Sequence, residues 1–439
     1  MAHHLKSFIG RHRSLPLVLL ACVCALSLAA RVALLGEPCR APCRSASDHV
    51  LIFDEAYYVN AARVIAGLQP PPGEHYAGSP SGVDPNAEHP QLAKLIIAGS
   101  IELFGDGPLA WRLGSLVFGT WAIVGMFVLV RSAGGGPWPA LGAAALMACD
   151  NLLLVHSRIG TLDVYALAPM IFGVALYLRG RPLLAGLLVA IGMSAKEVAV
   201  YALVVFAVLE CLRLLRETRA TQLKVGAVRF GTSVAATAVA LFALLSLLEQ
   251  LAPPYDPVAG RRVGGGALGQ MRHMLSYAAH QTSPHGPQGI ASYPWQWLVD
   301  YKPITYLNIN PAHPADGLFG VHPEAHFLGL ISPPILALAI PGLIVAAIAA
   351  VWARRRADEV ELVGLAWFLG TFLPFVLLSL IWQRTSYLYY MVIVMPGLYL
   401  GAVGLLGRLR ARFGSIPVWV AGAAVAGAAV VLYPFIPLP

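Results

Sequence analysis

Apolar stretches long enough to cross a membrane recur along the whole chain and are separated by polar segments. An α-helix needs roughly 20 consecutive apolar residues to span the hydrocarbon core of a bilayer, and runs near that length recur here. The pattern predicts an all-α polytopic membrane protein with about eleven transmembrane helices. The predicted spans are 15–35, 109–130, 137–155, 160–178, 183–195, 198–212, 228–250, 329–352, 361–381, 387–406 and 415–436.

The first apolar run follows Lys6, Arg11 and Arg13, an arrangement that also occurs in secretory signal peptides. The run contains no clear small-residue cleavage site, and it ends at Arg31. We therefore expect a retained first span with the N-terminus in the cytoplasm.

Lys and Arg are distributed unevenly between the two sides of this arrangement. With the N-terminus inside, the inner loops hold 17 of the 30 basic residues and 5 of the 22 acidic residues. An excess of Lys and Arg on the cytoplasmic side is the usual orientation signal of a plasma-membrane protein. The net charge of +8 does not indicate a nucleic-acid partner, because the basic residues lie in short loops between apolar runs.

Two long loops, about 36–108 and about 251–328, then face the exterior of a single integral membrane domain. The first loop is expected to hold an interfacial helix over about 54–67 and an amphipathic helix near 91–104. Because the polar mass of the protein lies outside, we predict an extracytoplasmic active site.

Two of the six cysteines, Cys39 and Cys43, lie in the first outer loop. An oxidising exterior would permit a disulfide between them. The alternative is a metal site, because a Cys-x3-Cys spacing is also compatible with metal ligands.

An acid pair, Asp54 and Glu55, stands at the start of the first outer helix. Acidic residues favour the first turn of a helix, so the pair could serve only to begin it. An aspartate is also suited to act as a general base toward an acceptor hydroxyl. We predict that chemistry occurs at this pair.

Three basic residues, Arg158, Lys196 and Arg384, lie near the outer ends of predicted spans. Cations at helix ends often only extend to the interface, but charges near a membrane commonly mark a functional site. Such cations could bind the phosphate of a lipid-linked donor. The tyrosines that follow Arg384, including Tyr387, are also compatible with an interfacial aromatic belt.

The motifs around these residues resemble, in order and over about residues 50–400, those of the protein O-mannosyltransferases, the dolichyl-phosphate-mannose–protein mannosyltransferases. The resembling segments are Phe53-Asp54-Glu55, His89-Pro90-x-Leu92-Ala93-Lys94, Arg158-Ile159-Gly160-Thr161-Leu162-Asp163, Lys196 after Gly192-Met193-Ser194-Ala195, His280 and His285 followed by Ser292-Tyr293-Pro294-Trp295-Gln296-Trp297, and Arg384-x-x-Tyr387-x-Tyr389-Tyr390 with Pro396.

The resemblance implies a C-class glycosyltransferase fold and inverting transfer of a sugar, mannose by analogy, from a polyprenyl-phosphate carrier to hydroxyls of secreted proteins. It implies that Asp54 and Glu55 are catalytic, with Asp54 as the base, and that Arg158, Lys196 and Arg384 bind the donor phosphate. The residues expected to shape the site are His89, Lys94, Asp163, His280, His285 and Tyr387.

Three alternatives remain open at this point. The aminoarabinose transferases share the acid pair and the carrier-lipid donor but use a lipid acceptor. A divalent metal is possible if His280 and His285 gather with Asp54, Glu55 and His89. A transporter is a further alternative, although the predicted spans carry few charges in their centres, unlike most transporters.

Overall fold

The computed structural model describes residues 2–40, 43–45, 48–216, 220–309, 324–352 and 357–436. Within these residues the chain is mostly helical, with two short antiparallel hairpins. The helices are α1 (Ala2–Val32), α2 (Glu55–Ile65), α3 (Leu92–Phe104), α4 (Pro108–Ser132), α5 (Pro137–Cys149), α6 (Asn151–His156), α7 (Asp163–Leu178), α8 (Pro182–Ala195), α9 (Tyr201–Arg216), α10 (Ala220–Leu251), α11 (Gly266–His280), α12 (Pro294–Trp297), α13 (Pro333–Val351), α14 (Glu359–Trp382), α15 (Met391–Phe413) and α16 (Ile416–Val431). The strands are β1 (Tyr255–Asp256), β2 (Arg261–Arg262), β3 (Ile304–Ile309) and β4 (Ala325–Gly329).

The predicted all-α membrane fold is confirmed. Seven helices of the described chain are long and apolar enough to cross a bilayer. Four shorter apolar helices, α5, α7, α8 and α16, coincide with the remaining predicted spans. The number of helices that cross the membrane and their orientation stay predictions. Five charged residues that contribute to the predicted bias lie outside the described residues, namely Glu217, Arg219, Arg354, Arg355 and Arg356.

The centre of the bundle is formed by helices that approach one another closely. Helix α13 crosses α15 at Gly342, where an added Cβ would lie only 2.1 Å from the carbonyl oxygen of Gly401. Small residues at helix crossings allow this approach, and close packing is the main attraction between helices in lipid. The bundle thereby supports the segments that connect its outer ends.

The first outer loop contains the two expected helices, slightly shorter than predicted. Helix α2 occupies Glu55–Ile65 and α3 occupies Leu92–Phe104. Their buried residues Val59, Ala62 and Ile97 pack with Trp111 of α4 in one apolar cluster. Both helices therefore lie against the bundle, and α2 begins at the acid pair.

The second outer loop contains structure that the apolar pattern did not indicate. Helix α11 begins at Gly266, and the β3–β4 hairpin pairs Ile304 with Gly329. A further bridge pairs Thr282 with Arg384, which joins this loop to the segment that precedes α15. The bridge brings this loop to the C-terminal end of α14.

Candidate active site

A pocket of about 790 Å³ lies where the two outer loops meet α9, α14 and the start of α15. Several of its apolar lining residues are also exposed at the protein surface: Val200 is 37% exposed, Leu275 68% and Trp382 59%. Its charged lining residues are Asp54, Glu88, His89, Lys196, Glu197 and Arg384. The pocket therefore combines opposite charges with an apolar surface that reaches the outside of the bundle.

Asp54 lies in this pocket immediately before the first residue of α2. The preceding residue, Phe53, has a left-handed backbone with φ of +54°. Its ring packs on Tyr306 at a centroid distance of 4.3 Å and on Tyr389 at 5.6 Å. A non-glycine residue in this conformation is strained and persists only where its surroundings fix it, as commonly occurs beside a functional group.

Burial raises the pKa of the Asp54 carboxyl to about 6. The positive charge of Lys196 opposes this effect, and the negative charge of Asp163 adds to it. The Asp54 carboxylate is thus ionised at neutral pH but is a stronger base than an ordinary aspartate.

Glu55 lies next to Asp54 in sequence but has a different environment. Its side chain is fully buried and is not among the residues that line the pocket. It accepts two hydrogen bonds of 2.8 Å from Arg112, one of 2.7 Å from the Gly160 amide and one of 2.8 Å from the Ile52 amide. Its carboxylate therefore joins α2, α4 and the turn before α7.

Lys196 lines the pocket between α8 and the following 3₁₀ turn. Its Nζ donates to Asp163 Oδ1 at 2.7 Å and lies 5.5 Å from the ring centre of Tyr389. Lys196 is 3% exposed and Asp163 is 2% exposed. A buried ammonium held by one carboxylate retains N–H groups for another acceptor.

His89 and Lys94 organise the end of the first outer loop. His89 lines the pocket, and its Nδ1 lies 2.9 Å from Glu197 Oε2. Lys94 is fully buried and pairs with Asp84 at 2.5 Å. Lys94 also donates to the His89 carbonyl at 2.9 Å, so it holds the backbone from which His89 reaches the pocket.

Arg384 and Tyr387 lie in the segment between α14 and α15, and both line the pocket. Arg384 donates to the Ala278 carbonyl of α11. Among the residues that the structure describes, no carboxylate lies within salt-bridge distance of its guanidinium. Tyr387 stacks on Tyr389 at 5.4 Å. Arg384 is therefore a cation that faces the pocket without an internal counter-charge in the described chain.

Arg158 is placed elsewhere. It is fully buried and is not among the lining residues of the pocket. Its guanidinium donates to the carbonyls of Arg31 at 2.8 Å and Ala33 at 2.6 Å, near the end of α1. It also packs over the rings of Phe327 and Phe435. Arg158 thus binds the unpaired carbonyls at a helix end, where a positive charge is favourable.

The five residues considered for a divalent metal do not converge. His280 is exposed and contacts the Ser276 carbonyl within its own helix, and His285 is also exposed. Neither lines the pocket that contains Asp54 and His89.

The cysteines of the first outer loop form a disulfide between Cys39 and Cys43. Among the described residues they make, with His49, the one group of three side chains close enough to share a metal ion. In the disulfide the two sulfur atoms are bonded to each other, so they are not free thiolates.

Sequence reasoning did not single out several residues that line the pocket. Glu197 follows Lys196 beside a predicted span, and a charge in that position is a usable signal of a functional site. The other unrecognised polar lining residues carried no distinctive spacing: Tyr57, Tyr58, Tyr76, Asn86, Glu88, Tyr201, Tyr277 and Gln281.

Comparison with known proteins confirms the resemblance seen in the motifs. Residues 88–244 match the family described as dolichyl-phosphate-mannose-protein mannosyltransferase. The polyprenol-phosphate-mannose–protein mannosyltransferase of Corynebacterium glutamicum is 34% identical over 116 residues. That match covers 26% of this chain and 22% of the relative, so the aligned segment is about a fifth of the relative's length.

Solved structures of membrane glycosyltransferases share the fold. The Saccharomyces cerevisiae protein O-mannosyltransferase Pmt1–Pmt2 complex, bound to its sugar donor, aligns with a TM-score of 0.65 at 14% identity, over 96% of this chain and 90% of that chain. ArnT from Cupriavidus metallidurans, bound to undecaprenyl phosphate, aligns with a TM-score of 0.52 at 19% identity, over 94% and 64%. The chain therefore has the C-class membrane glycosyltransferase fold that the resemblance implied.

Proposed function

We propose that this protein transfers mannose from a polyprenyl-phosphate carrier to Ser or Thr hydroxyls of secreted proteins at the extracytoplasmic face of the membrane. The observation that carries the proposal is the presence of Asp54, Lys196 and Arg384 in a single pocket. The pocket combines a half-buried base with two cations, which is what glycosyl transfer from a phosphate leaving group requires. The family match over residues 88–244 and the relative from Corynebacterium glutamicum support the choice of donor and acceptor.

In the proposed reaction the acceptor oxygen attacks C1 of the sugar from the face opposite the phosphate. The new C1–O bond forms while the bond between C1 and the phosphate oxygen breaks, so the configuration at C1 inverts. The bonding electrons leave with the polyprenyl phosphate. The hydroxyl proton passes to the carboxylate of Asp54, whose raised pKa makes it a suitable acceptor near neutral pH.

Lys196 and Arg384 are proposed to bind the phosphate whose negative charge grows as the bond breaks. Cations that are already positioned stabilise such charge without reorganisation during the reaction. Arg384 suits this role because no carboxylate in the described chain neutralises it, and a guanidinium binds phosphate oxygens in a bidentate manner. Lys196 keeps one carboxylate partner, Asp163, which fixes its position.

The apolar part of the pocket is proposed to accept the first isoprene units of the carrier. Phe375, Leu378 and Trp382 lie three and four residues apart on α14 and therefore share one helical face. Trp382 is also exposed on the outer surface of the bundle. A lipid tail could thus lie in the bilayer while its phosphate reaches the cations.

Glu55 and Arg158 are proposed to position the site without contacting the donor. Each is fully buried outside the pocket. Glu55 accepts hydrogen bonds from Arg112, and Arg158 donates to the Arg31 carbonyl. Glu55 sets the start of α2, from which Asp54 reaches the pocket. Arg158 fixes the end of α1 beside the first outer loop.

The test is transfer by the purified chain in nanodiscs, with polyprenyl-phosphate mannose and a Ser/Thr-rich peptide, followed by mass spectrometry of the peptide. We expect a hexose on the hydroxyl, and a rate about 10²–10⁴-fold lower for Asp54→Asn. The matched control is Glu74→Gln, which changes an exposed acid of the same loop outside the pocket lining.

Three outcomes would contradict the proposal. Wild-type transfer rates in Asp54→Asn would remove the base from the mechanism. Transfer to a lipid A acceptor, with none to peptide, would favour an activity like that of the aminoarabinose transferases. Uptake of a solute without any transfer would favour a transporter.

A further inference from the structure

Four buried polar side chains form a connected series from the second outer loop to the pocket. Tyr306 Oη lies 2.7 Å from His156 Nε2, and His156 Nδ1 lies 3.5 Å from Asp163 Oδ2. Asp163 Oδ1 accepts from Lys196 Nζ at 2.7 Å. Tyr306 is 7% exposed and the other three are 3% exposed or less. His156 and Tyr306 have no part in the proposed transfer.

The contacts of the His156 ring indicate which of its nitrogens carries the hydrogen. Asp163 Oδ2 is buried and has no hydrogen-bond partner within the described chain, but the His156 ring pairs with it at 3.5 Å. His156 Nδ1 also lies 3.3 Å from Thr161 Oγ1. A buried carboxylate oxygen is stabilised by a donor, so we assign the ring hydrogen to His156 Nδ1, from which it reaches Asp163 Oδ2 and the Thr161 hydroxyl oxygen. His156 Nε2 is then an acceptor, and the Tyr306 hydroxyl donates to it. The tyrosine hydroxyl thus selects the histidine tautomer that holds Asp163.

The same tyrosine also contacts the other part of the site. The Tyr306 ring packs on Phe53 at 4.3 Å with an interplanar angle of 31°. Phe53 has the strained backbone that immediately precedes Asp54. The ring therefore supports the backbone of the proposed base, whereas the hydroxyl acts through His156 and Asp163 on the proposed phosphate-binding Lys196.

We propose that Tyr306 is a positioning residue that fixes the base and the phosphate-binding lysine relative to each other, with His156 as the link to the lysine. The inference rests on the proposed function, because it assigns both groups to sugar transfer. It connects the second outer loop, which carries Tyr306 on β3, to both reacting ends of the pocket.

Two substitutions of His156 test the link to Lys196. The amide nitrogen of His156→Asn occupies the position of Nδ1 and preserves the donor to Asp163, whereas that of His156→Gln occupies the position of Nε2 and loses it. We expect the Asn variant to keep the donor KM within about twofold of wild type. We expect the Gln variant to raise the donor KM about tenfold, because a hydrogen bond to a charged group is lost.

Two substitutions of Tyr306 separate the hydroxyl from the ring. Tyr306→Phe keeps the contact with Phe53, so it should raise the donor KM while leaving kcat close to wild type. Tyr306→Leu also removes the ring, so it should lower kcat by up to about 10²-fold, because small displacements of a reacting group are costly.

Each outcome supports or overturns the inference. Equal donor KM values in the Asn and Gln variants of His156, or equal kcat values in the Phe and Leu variants of Tyr306, would overturn it. If a Leu variant does not fold, as judged by size-exclusion chromatography, the Asn–Gln comparison and Tyr306→Phe still decide. The absence of transfer by the wild type would instead refute the proposed function, which separates the two failures.

Discussion

The pH dependence of transfer is the most direct test of the base. If Asp54 must be ionised, the rate should fall on acidification with a midpoint near the pKa of about 6 that burial gives this carboxyl. Such a group is roughly 91% ionised at pH 7 and roughly 9% ionised at pH 5, so kcat/KM for the free enzyme should fall about tenfold between these values. An ordinary aspartate would remain mostly ionised at pH 5 and would show almost no decline.

Neighbouring charges provide a sharper version of the same test. The ammonium of Lys196 lowers the Asp54 pKa and the carboxylate of Asp163 raises it. Lys196→Gln should therefore move the acidic midpoint upward, and Asp163→Asn should move it downward, even though both variants break the same ion pair. General damage to the site would not shift the acidic midpoint in opposite directions in the two variants.

The assay is mannosyl transfer to a fluorescent peptide at saturating and subsaturating donor between pH 4.5 and 8.5. The donor is a phosphodiester without a group that titrates in this range, so the acidic limb reports the enzyme. His89 also lines the pocket and lowers the Asp54 pKa less than Lys196 does, so His89→Gln should move the midpoint upward by less than Lys196→Gln. A flat profile between pH 5 and 7, or a midpoint that moves with His89 alone, would refute the assignment of Asp54.

Three further predictions concern stability and donor use. Glu55→Gln should lower the thermal midpoint of the detergent-solubilised protein, because breaking its buried pair with Arg112 costs about 3–5 kcal/mol. An unchanged midpoint, with a transfer rate as low as that of Asp54→Asn, would instead make Glu55 catalytic. Arg384→Ala should raise the donor KM with little loss of stability. Arg384→Lys should restore the donor KM only in part, because an ammonium lacks the planar fork of a guanidinium. Wild-type kinetics in the Ala variant would exclude the phosphate-binding role. Arg158→Ala should show the reverse pattern, with a lower thermal midpoint and a donor KM near wild type in the folded fraction, because its donors bind the carbonyls that end α1.

Asp54 also affects stability, with a sign opposite to its effect on rate. Because the folded-state pKa of this acid is raised, its contribution to stability is complete below the unfolded pKa and is lost as the pH rises through about 6. Asp54→Asn should therefore unfold at a higher temperature than wild type at pH 7.5, and the difference should disappear below about pH 4. A lower midpoint in the Asn variant at pH 7.5 would show that the carboxylate is structurally required.

The positions of the spans could be predicted from the sequence because lipid imposes a simple rule. Every backbone polar group in the hydrocarbon must be paired within the protein, and in an all-α protein long apolar helices meet that requirement. Each predicted span therefore overlaps a helix of the structure, although α10 begins at Ala220 and not at 228, and α15 ends at Phe413 and not at 406. The outer loops are not under that rule. The β3–β4 hairpin and α11 depend on contacts with the bundle, and no apolar pattern indicated them.

The sequence by itself determined that this is a membrane protein. It also showed, in order along the chain, motifs that resemble those of a family whose fold the structure shares. Only the tertiary structure decided which charges meet. Adjacent residues at a helix start diverge by about 100° around its axis, so Asp54 reaches the pocket while Glu55 binds Arg112. Arg158 and Lys196 looked equivalent along the chain, yet one holds the end of α1 and the other faces the pocket. Such differences depend on which groups the fold places opposite each side chain, and linear spacing does not contain that information.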